Sequence, residues 1–123
     1  MAHILLIDDD EILRDTVQQM LELDGHRVST AVDGIEGVIA WQRGRFDLVI
    51  TDVLMPRQDG TQVIAELRLA DERLPIVAIS GGRRVLSPEF NLQTAGLVGA
   101  TSQLAKPFTR AQLREVVNHA LAA

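Results

Sequence analysis

Four aspartates occupy positions from which they could together hold a cation. Three follow the first apolar run of the chain and the other follows a later run: Asp8, Asp9, Asp10 and Asp52. If Asp8, Asp9 and Asp52 converge, carboxylates about 4 Å apart repel by roughly 4 kcal/mol per pair at an effective dielectric constant of 20. They stay ionised together only if a cation joins them. Mg²⁺ suits such a site because it prefers oxygen ligands and often shares them with a phosphate, and we expect Mn²⁺ to substitute for it.

Two further residues could act on a phosphate group. Lys106 stands directly before Pro107 and offers a mobile point charge that suits a phosphate oxygen. Ser80 offers a hydroxyl donor, although a serine before two glycines is also typical of a turn. Likewise, the run from Asp8 to Glu11 is by itself equally typical of a solvated helix start, where the helix dipole favours acids. The functional interpretation therefore depends on these residues meeting at one place.

Strands predicted from short apolar runs would bring them together. Five such runs are bounded by turn residues: His3–Asp8, His26–Thr30, Leu48–Thr51, Ile76–Ser80 and Gln103–Ala105. The segments I-L-L-I and L-V-I show no polar alternation, which indicates strands buried on both faces of a parallel sheet. Between the runs, apolar residues recur with helical spacing.

Several residues predict where the helices begin. Asp33 with Glu36, and Thr109 with Gln112, have the spacing of a capping box. Ser87 precedes a proline, a pair typical of an N-cap and first helical position. We expect that helix to end at Gly99, with Gly96 as the alternative.

Five strands alternating with five helices predict an α/β sandwich with right-handed crossovers. Ligands of such folds bind outside the carboxyl ends of the strands. The aspartate run follows the first predicted strand, Asp52 the third, Ser80 ends the fourth and Lys106 follows the fifth. All the polar candidates therefore fall on one edge of the sheet.

Composition indicates one globular domain and limits its partners. The chain has 123 residues, a formal net charge of -5 and no cysteine. The negative charge argues against a nucleic-acid surface, and the lack of thiols excludes disulfides and thiolate metal sites. Acids appear by Asp8, too early for a signal peptide or a membrane span. We expect a cytoplasmic protein with neither nucleic acid nor membrane as a partner.

Four motifs together resemble the receiver domain of bacterial two-component response regulators, in the stand-alone form of chemotaxis regulators. They are I-L-L-I-D-D-D, F-D-L-V-I-T-D-V-L-M-P-R-Q-D-G, L-P-I-V-A-I-S-G and L-A-K-P-F. Their order and spacing match over essentially the whole chain. The resemblance implies a flavodoxin-like (βα)5 doubly wound fold with a five-stranded parallel sheet of order 2-1-3-4-5. It also implies a receiver domain over residues 1–123, without an output domain in this chain.

The resemblance assigns a role in phosphorylation to specific residues. Asp52 would accept a phosphoryl group from a phosphohistidine of a sensor histidine kinase or a histidine phosphotransfer protein. Lys106 and Ser80 would bind phosphate oxygens, and the Lys106–Pro107 peptide bond would be cis. The domain would be a signalling switch rather than an enzyme, with slow loss of the phosphoryl group, and phosphorylation would alter binding to an unidentified protein target.

The resemblance also implies the ligands of the metal ion. Asp9 would bind Mg²⁺ directly, Asp8 largely through water, and the backbone carbonyl of Leu54 would complete the protein ligands together with Asp52.

This sequence departs from the receiver pattern in two places. Gln103 stands where receivers usually have an aromatic residue in the fifth strand, and the acidic residue often used for dimer salt bridges is missing there. We therefore expect a monomer with a different readout of phosphorylation. The segment Gly81–Asn91 is longer than usual and contains two arginines. It is either a solvated basic loop or a site of partner docking or phosphate contact.

Two alternative functions remain open from the residues. The D-D-D motif also resembles that of haloacid-dehalogenase-type phosphatases, in which Asp8 would be the nucleophile and Asp10 the general acid. The other alternative is a pseudo-receiver that binds partners without phosphorylation, although no member of the acid, serine and lysine set is missing.

Overall fold

A computed structural model of the protein describes residues 1–53, 60–81 and 99–122, with residues 60, 61, 80 and 81 described by their backbone alone. Within these ranges, five parallel strands form one sheet in the order β2-β1-β3-β4-β5. They are β1 His3–Ile7, β2 Arg27–Ala31, β3 Leu48–Asp52, β4 Ile76–Gly81 and β5 Ser102–Lys106. The predicted fold class and strand order are confirmed. Each predicted strand end lies within one residue of the observed end.

Four helices are described, and they flank the sheet. They are α1 Glu11–Leu23, α2 Gly34–Arg43, α3 Gly60–Ala70 and α4 Arg110–Ala122. The helix predicted to begin at Ser87 lies outside the described residues, although Gly99, its expected end, has the positive φ of +110° typical of a glycine stop. None of the described helices combines the length and the apolar character that crossing a membrane requires.

The predicted capping boxes are observed at α2 and α4, one of them in a modified form. At α4, the Gln112 amide donates to Thr109 Oγ1 at 3.1 Å and Gln112 Oε1 accepts from the Thr109 amide at 2.8 Å. At α2, Asp33 accepts from the Glu36 amide at 2.8 Å, but Glu36 Oε1 accepts from the amide of Val32 at 3.4 Å. The reciprocal bond of α2 therefore reaches one residue further back than the motif predicts.

The hydrophobic core has two layers, one on each face of the sheet. Alternate residues of β1 enter different layers: Ile4 and Leu6 pack with α1 and α4, whereas Leu5 and Ile7 pack with α2 and α3. All residues of β3 are buried. Burial on both faces explains why these strands show no polar alternation in the sequence. The sheet is therefore a rigid base for whatever its strand ends carry.

Helix α2 packs unusually close to β1. A Cβ atom at Gly37 would lie 2.8 Å from Cγ1 of Ile7 and would overlap the end of that side chain. Only a glycine allows the helix to approach the strand at this distance.

The Lys106–Pro107 peptide bond at the other side of the sheet is cis, as predicted.

Candidate functional site

The candidate site lies at the carboxyl ends of β1, β3 and β5. Asp8 follows β1, Asp52 is the last residue of β3, and Lys106 is the last residue of β5. Asp8 and Asp52 are each only 2% exposed. Together with Thr51, they are the only buried polar or charged residues in the described part of the chain. Burying a carboxylate is costly unless it is paired, so these positions call for a physical explanation.

Carboxylate oxygens from two strand ends form an acidic cluster, which consists of Asp8, Asp9 and Asp52. One oxygen of each residue lies within 4.8 Å of the others. The predicted convergence of the first and third strands is therefore observed. Three hard oxygen donors at this spacing fit a divalent ion such as Mg²⁺, which is commonly held by carboxylates.

Lys106 extends its ammonium group into the acidic cluster. Its Nζ atom lies 3.6 Å from Oδ2 of Asp52 and 3.8 Å from Oδ2 of Asp8, and its side chain is 14% exposed. Among the described residues, one ammonium lies beside this cluster of three carboxylates, so their combined charge is negative when all of them are ionised. Such a site attracts a further cation and, once that cation is bound, suits the oxygens of a phosphoryl group.

Burial raises the pKa of Asp8, and the nearby charges of Asp9 and Asp10 raise it further. A hydrogen bond from the Asp10 amide and the ammonium of Lys106 lower the pKa of Asp8, but they do not offset the burial. The ionised form of Asp8 is therefore held in the fold at a cost in free energy. A cation bound beside it would reduce that cost.

The turn between β1 and α1 is fixed by hydrogen bonds around Asp8. The Asp8 amide donates to the carbonyl of Ala31 at 3.1 Å, and the Asp10 amide donates to Oδ1 of Asp8 at 2.9 Å. The guanidinium of Arg14 donates from Nη1 to the backbone carbonyl of Asp8 at 2.9 Å. Arg14 was not among the predicted site residues, because an arginine within a helix matches no motif for a site. Its position one turn into the helix after the aspartates is not enough to predict the contact.

Asp10 has a structural role at the start of α1. It is the N-cap of α1, and its side chain accepts from the Leu13 amide at 3.2 Å. It does not belong to the acidic cluster. The helix-start interpretation of the aspartate run therefore applies to Asp10, whereas Asp8 and Asp9 converge with Asp52. A role for Asp10 as a general acid gains no support from this arrangement.

The remaining predicted site residues are described in part or not at all. The backbone of Ser80 pairs with Ala105 at the same edge of the sheet, but its side chain lies outside the described residues. Leu54 and the segment that follows Gly81 also lie outside them. Gln103 is exposed on β5. The roles assigned to these residues stay predictions.

Comparison with known proteins identifies the family. The family model described as "Response regulator receiver domain" matches residues 4–118. Among curated proteins, response regulator MprA of Mycobacterium sp. (strain KMS) is 36% identical over 113 residues, which cover 91% of this chain and 47% of that protein. MprA of Mycobacterium leprae (strain TN) is 36% identical over 112 residues, covering 90% and 47%. The chain thus spans about half the length of these relatives.

Solved structures agree with this family. Chemotaxis response regulator CheY4 of Vibrio cholerae is 34% identical, with a TM-score of 0.86 and 98% of each chain covered. The receiver domain of NtrX from Brucella abortus is 30% identical, with a TM-score of 0.90 and again 98% of each chain covered. These findings do not favour the phosphatase alternative. The chain belongs to the response regulator receiver domains of two-component signalling.

Proposed function

We propose that this chain is a phosphorylation switch in which Asp52 accepts a phosphoryl group from a phosphohistidine. The donor would be a sensor histidine kinase or a histidine phosphotransfer protein. One observation supports this above all: the ammonium of Lys106 lies within 4 Å of both Asp8 and Asp52, at 3.8 and 3.6 Å. A carboxylate that can attack phosphorus and an ammonium that can bind a phosphoryl oxygen therefore lie side by side.

Asp52 is proposed as the nucleophile because it ends the central strand of the sheet. It pairs with Ile79 of β4, and the next amide, that of Val53, donates to the Ile79 carbonyl at 2.9 Å. A carboxylate on such a rigid element is held in one position. Phosphoryl transfer depends mainly on positioning and charge neutralisation, so a fixed nucleophile suits the reaction.

The acidic cluster would hold the metal ion. Asp8, Asp9 and Asp52 would supply carboxylate oxygens. By the family resemblance, the backbone carbonyl of Leu54 would be a further ligand. When bound, Mg²⁺ would neutralise charge on the carboxylates and on the phosphoryl oxygens. Mn²⁺ prefers the same oxygen ligands and would replace it.

The proposed transfer exchanges one bond at phosphorus for another. An Oδ atom of Asp52 attacks phosphorus in line with the P–N bond of the phosphohistidine. A P–O bond forms, the P–N bond breaks, and its electron pair stays on the imidazole nitrogen. The imidazole leaves neutral when its other nitrogen carries the proton. The ammonium of Lys106 offsets charge on the phosphoryl oxygens, and the Ser80 hydroxyl would donate to one of them.

Phosphorylation would change which protein the domain binds. A phosphoryl group on Asp52 adds negative charge beside Lys106 and provides strong hydrogen-bond acceptors. Redirecting Lys106 and Ser80 toward that group would alter the surface around the ends of β4 and β5. Gln103 supplies no aromatic ring for this response, so we expect a readout that does not depend on one. That nucleic acid is not a partner stays a prediction from the net charge.

Intact mass measurement after incubation with Mg²⁺ and acetyl phosphate tests the proposal. We expect one added phosphoryl group in the wild type and none in Asp52→Asn. Asp15→Asn, which changes an exposed aspartate of α1, is the matched control and should be labelled like the wild type. Equal labelling of Asp52→Asn would move the acceptor elsewhere. Wild-type protein that is never labelled would favour the pseudo-receiver.

A further inference from the structure

Arg14 contacts the backbone of the acidic cluster without belonging to it. Its Nη1 atom donates to the carbonyl oxygen of Asp8 at 2.9 Å, in a partly buried environment. The backbone amide of Arg14 donates to the Asp10 carbonyl at 2.8 Å, in the first turn of α1. The side chain of Arg14 therefore reaches back from the helix to the strand end that precedes it.

This contact gives a hydrogen-bond donor to the carbonyl of the peptide that joins Asp8 to Asp9. The last ladder pair of β1 is Ile7 with Ala31, so the carbonyl of Asp8 lies beyond the register of the sheet. A polar group in a partly buried place needs a partner, and Arg14 supplies it. The Asp8 carbonyl and the Asp9 amide share one rigid plane. A donor that fixes the carbonyl therefore also fixes the Asp9 amide and the Asp9 Cα atom, from which that side chain leaves the backbone.

We propose that Arg14 is a positioning residue for the divalent cation. It holds the Asp8–Asp9 peptide so that both carboxylates face Asp52 with the spacing that a cation requires. This inference rests on the proposed function, because it assumes that the acidic cluster binds Mg²⁺. Groups that orient metal ligands from outside the coordination sphere are commonly worth 10-fold or more in affinity.

Positioning and simple charge have opposite consequences at this site. Arg14 carries a positive charge on the guanidinium that contacts the backbone carbonyl of Asp8. If charge were its only influence, its removal would strengthen Mg²⁺ binding, because repulsion between like charges would disappear. If Arg14 positions Asp8 and Asp9, its removal weakens Mg²⁺ binding. Weaker Mg²⁺ binding after removal of Arg14 therefore indicates positioning, and tighter binding indicates an effect of charge alone.

Titration calorimetry with Mg²⁺ on the full chain provides the test. We expect Arg14→Met to raise the dissociation constant roughly 10-fold. Arg14→Lys, which keeps the charge but not the planar fork of donors, should bind more weakly than the wild type and more tightly than Arg14→Met. Arg43→Met, at the exposed end of α2, is the matched control and should bind like the wild type.

A second readout separates positioning from a general loosening of the fold. At saturating Mg²⁺, phosphorylation of Arg14→Met by acetyl phosphate should recover to the wild-type extent, because the cation itself then holds the carboxylates together. Tighter or unchanged Mg²⁺ binding by Arg14→Met overturns the inference. If Arg14→Met does not fold, wild-type affinity in Arg14→Lys overturns it. Wild-type protein that binds no Mg²⁺ would instead contradict the proposed function on which the inference rests.

Discussion

The ammonium of Lys106 lies 3.6 Å from Oδ2 of Asp52 although a whole strand, β4, separates the strands that carry them. The distance is spanned by the long side chain of lysine, which extends over the end of β4. Because its own strand is at the edge of the sheet, Lys106 approaches the carboxylates from one side only. It can therefore balance part of the negative charge of the acidic cluster, while the remaining side of the cluster stays accessible to a cation.

Asp8→Asn is expected to stabilise the metal-free protein at neutral pH. Burial raises the pKa of Asp8 above its ordinary value of 3.8, so the folded state binds this proton more tightly than the unfolded chain. The stability that this group contributes is complete below that value and declines as pH rises through the raised pKa. Each pKa unit corresponds to about 1.4 kcal/mol. Urea denaturation in the presence of a chelator should give Asp8→Asn the larger free energy of unfolding at pH 7.

A pH series supplies the control for Asp8→Asn. The difference between the two proteins should shrink toward zero as pH falls below 3.8, where Asp8 is protonated in both states. Asparagine keeps an oxygen that can accept from the Asp10 amide, so the turn itself is preserved. A less stable Asp8→Asn at neutral pH would mean that Lys106 and the Asp10 amide outweigh the cost of burial.

Lys106→Met is expected to bind Mg²⁺ more tightly than the wild type. Phosphorylation is expected to change the surface around the ends of β4 and β5 less in this variant. A unit charge about 4 Å away is worth about 1 kcal/mol even at the dielectric constant of water, and a divalent ion feels it more. We therefore expect at least a fivefold lower dissociation constant, measured by calorimetry. Arg27→Met, at the opposite edge of the sheet, should leave Mg²⁺ affinity unchanged. Weaker binding by Lys106→Met would show that the lysine supports the site by packing rather than by charge.

Asp24→Asn is expected to destabilise the fold at neutral pH. Asp24, the C-cap of α1, accepts from Nη2 of Arg110 at 2.6 Å and from Nη2 of Arg114 at 3.0 Å, which joins α1 to α4. Hydrogen bonds from Arg114 and Arg110 lower the pKa of Asp24. The resulting stability is present above the ordinary value of 3.8 and is lost as pH falls through the lowered pKa. We expect a modest effect, because the arginines are 41% and 50% exposed and solvent screens them.

The urea midpoint measured at two pH values tests this prediction. Asp24→Asn should unfold at a lower urea concentration than the wild type at pH 7, and the gap should narrow in strong acid. Asp15→Asn, an exposed position of the same helix, serves as the reference for removing a charge from α1. A gap that persists unchanged in acid would mean that Asp24 acts through its shape in the C-cap and not through its charge.

Gly37→Ala is expected to lower the free energy of unfolding by about 1–3 kcal/mol, because the added Cβ would overlap Ile7. Alanine favours a helix over glycine by about 1 kcal/mol, which opposes this loss but does not outweigh it. The double variant Gly37→Ala with Ile7→Val should recover part of the stability, since valine lacks the overlapping terminal carbon. Thermal and urea unfolding of the single and double variants measure the coupling. A stabilised Gly37→Ala would show that Ile7 moves aside at no cost.

Local patterns in the sequence were sufficient to predict the scaffold. The predicted strand ends lie within one residue of the observed ends, because apolar runs and turn residues are properties of short segments. The strand order of the sheet followed from the family resemblance and was confirmed by the pairing of the strands. Placement of Asp8, Asp52 and Lys106 on one edge could also be predicted, since parallel strands share the direction of their carboxyl ends.

Contacts between residues far apart in the chain required the folded structure. Nothing in the spacing of Arg14 from Asp8 distinguishes a backbone anchor from an ordinary helical arginine, because the contact depends on how α1 leaves β1. Arg110 and Arg114 reach Asp24 across 86 and 90 residues, a pairing set by the packing of α4 against α1. The net shift of the Asp8 pKa likewise combines burial with opposing contacts, and only the packed site decides which of them prevails.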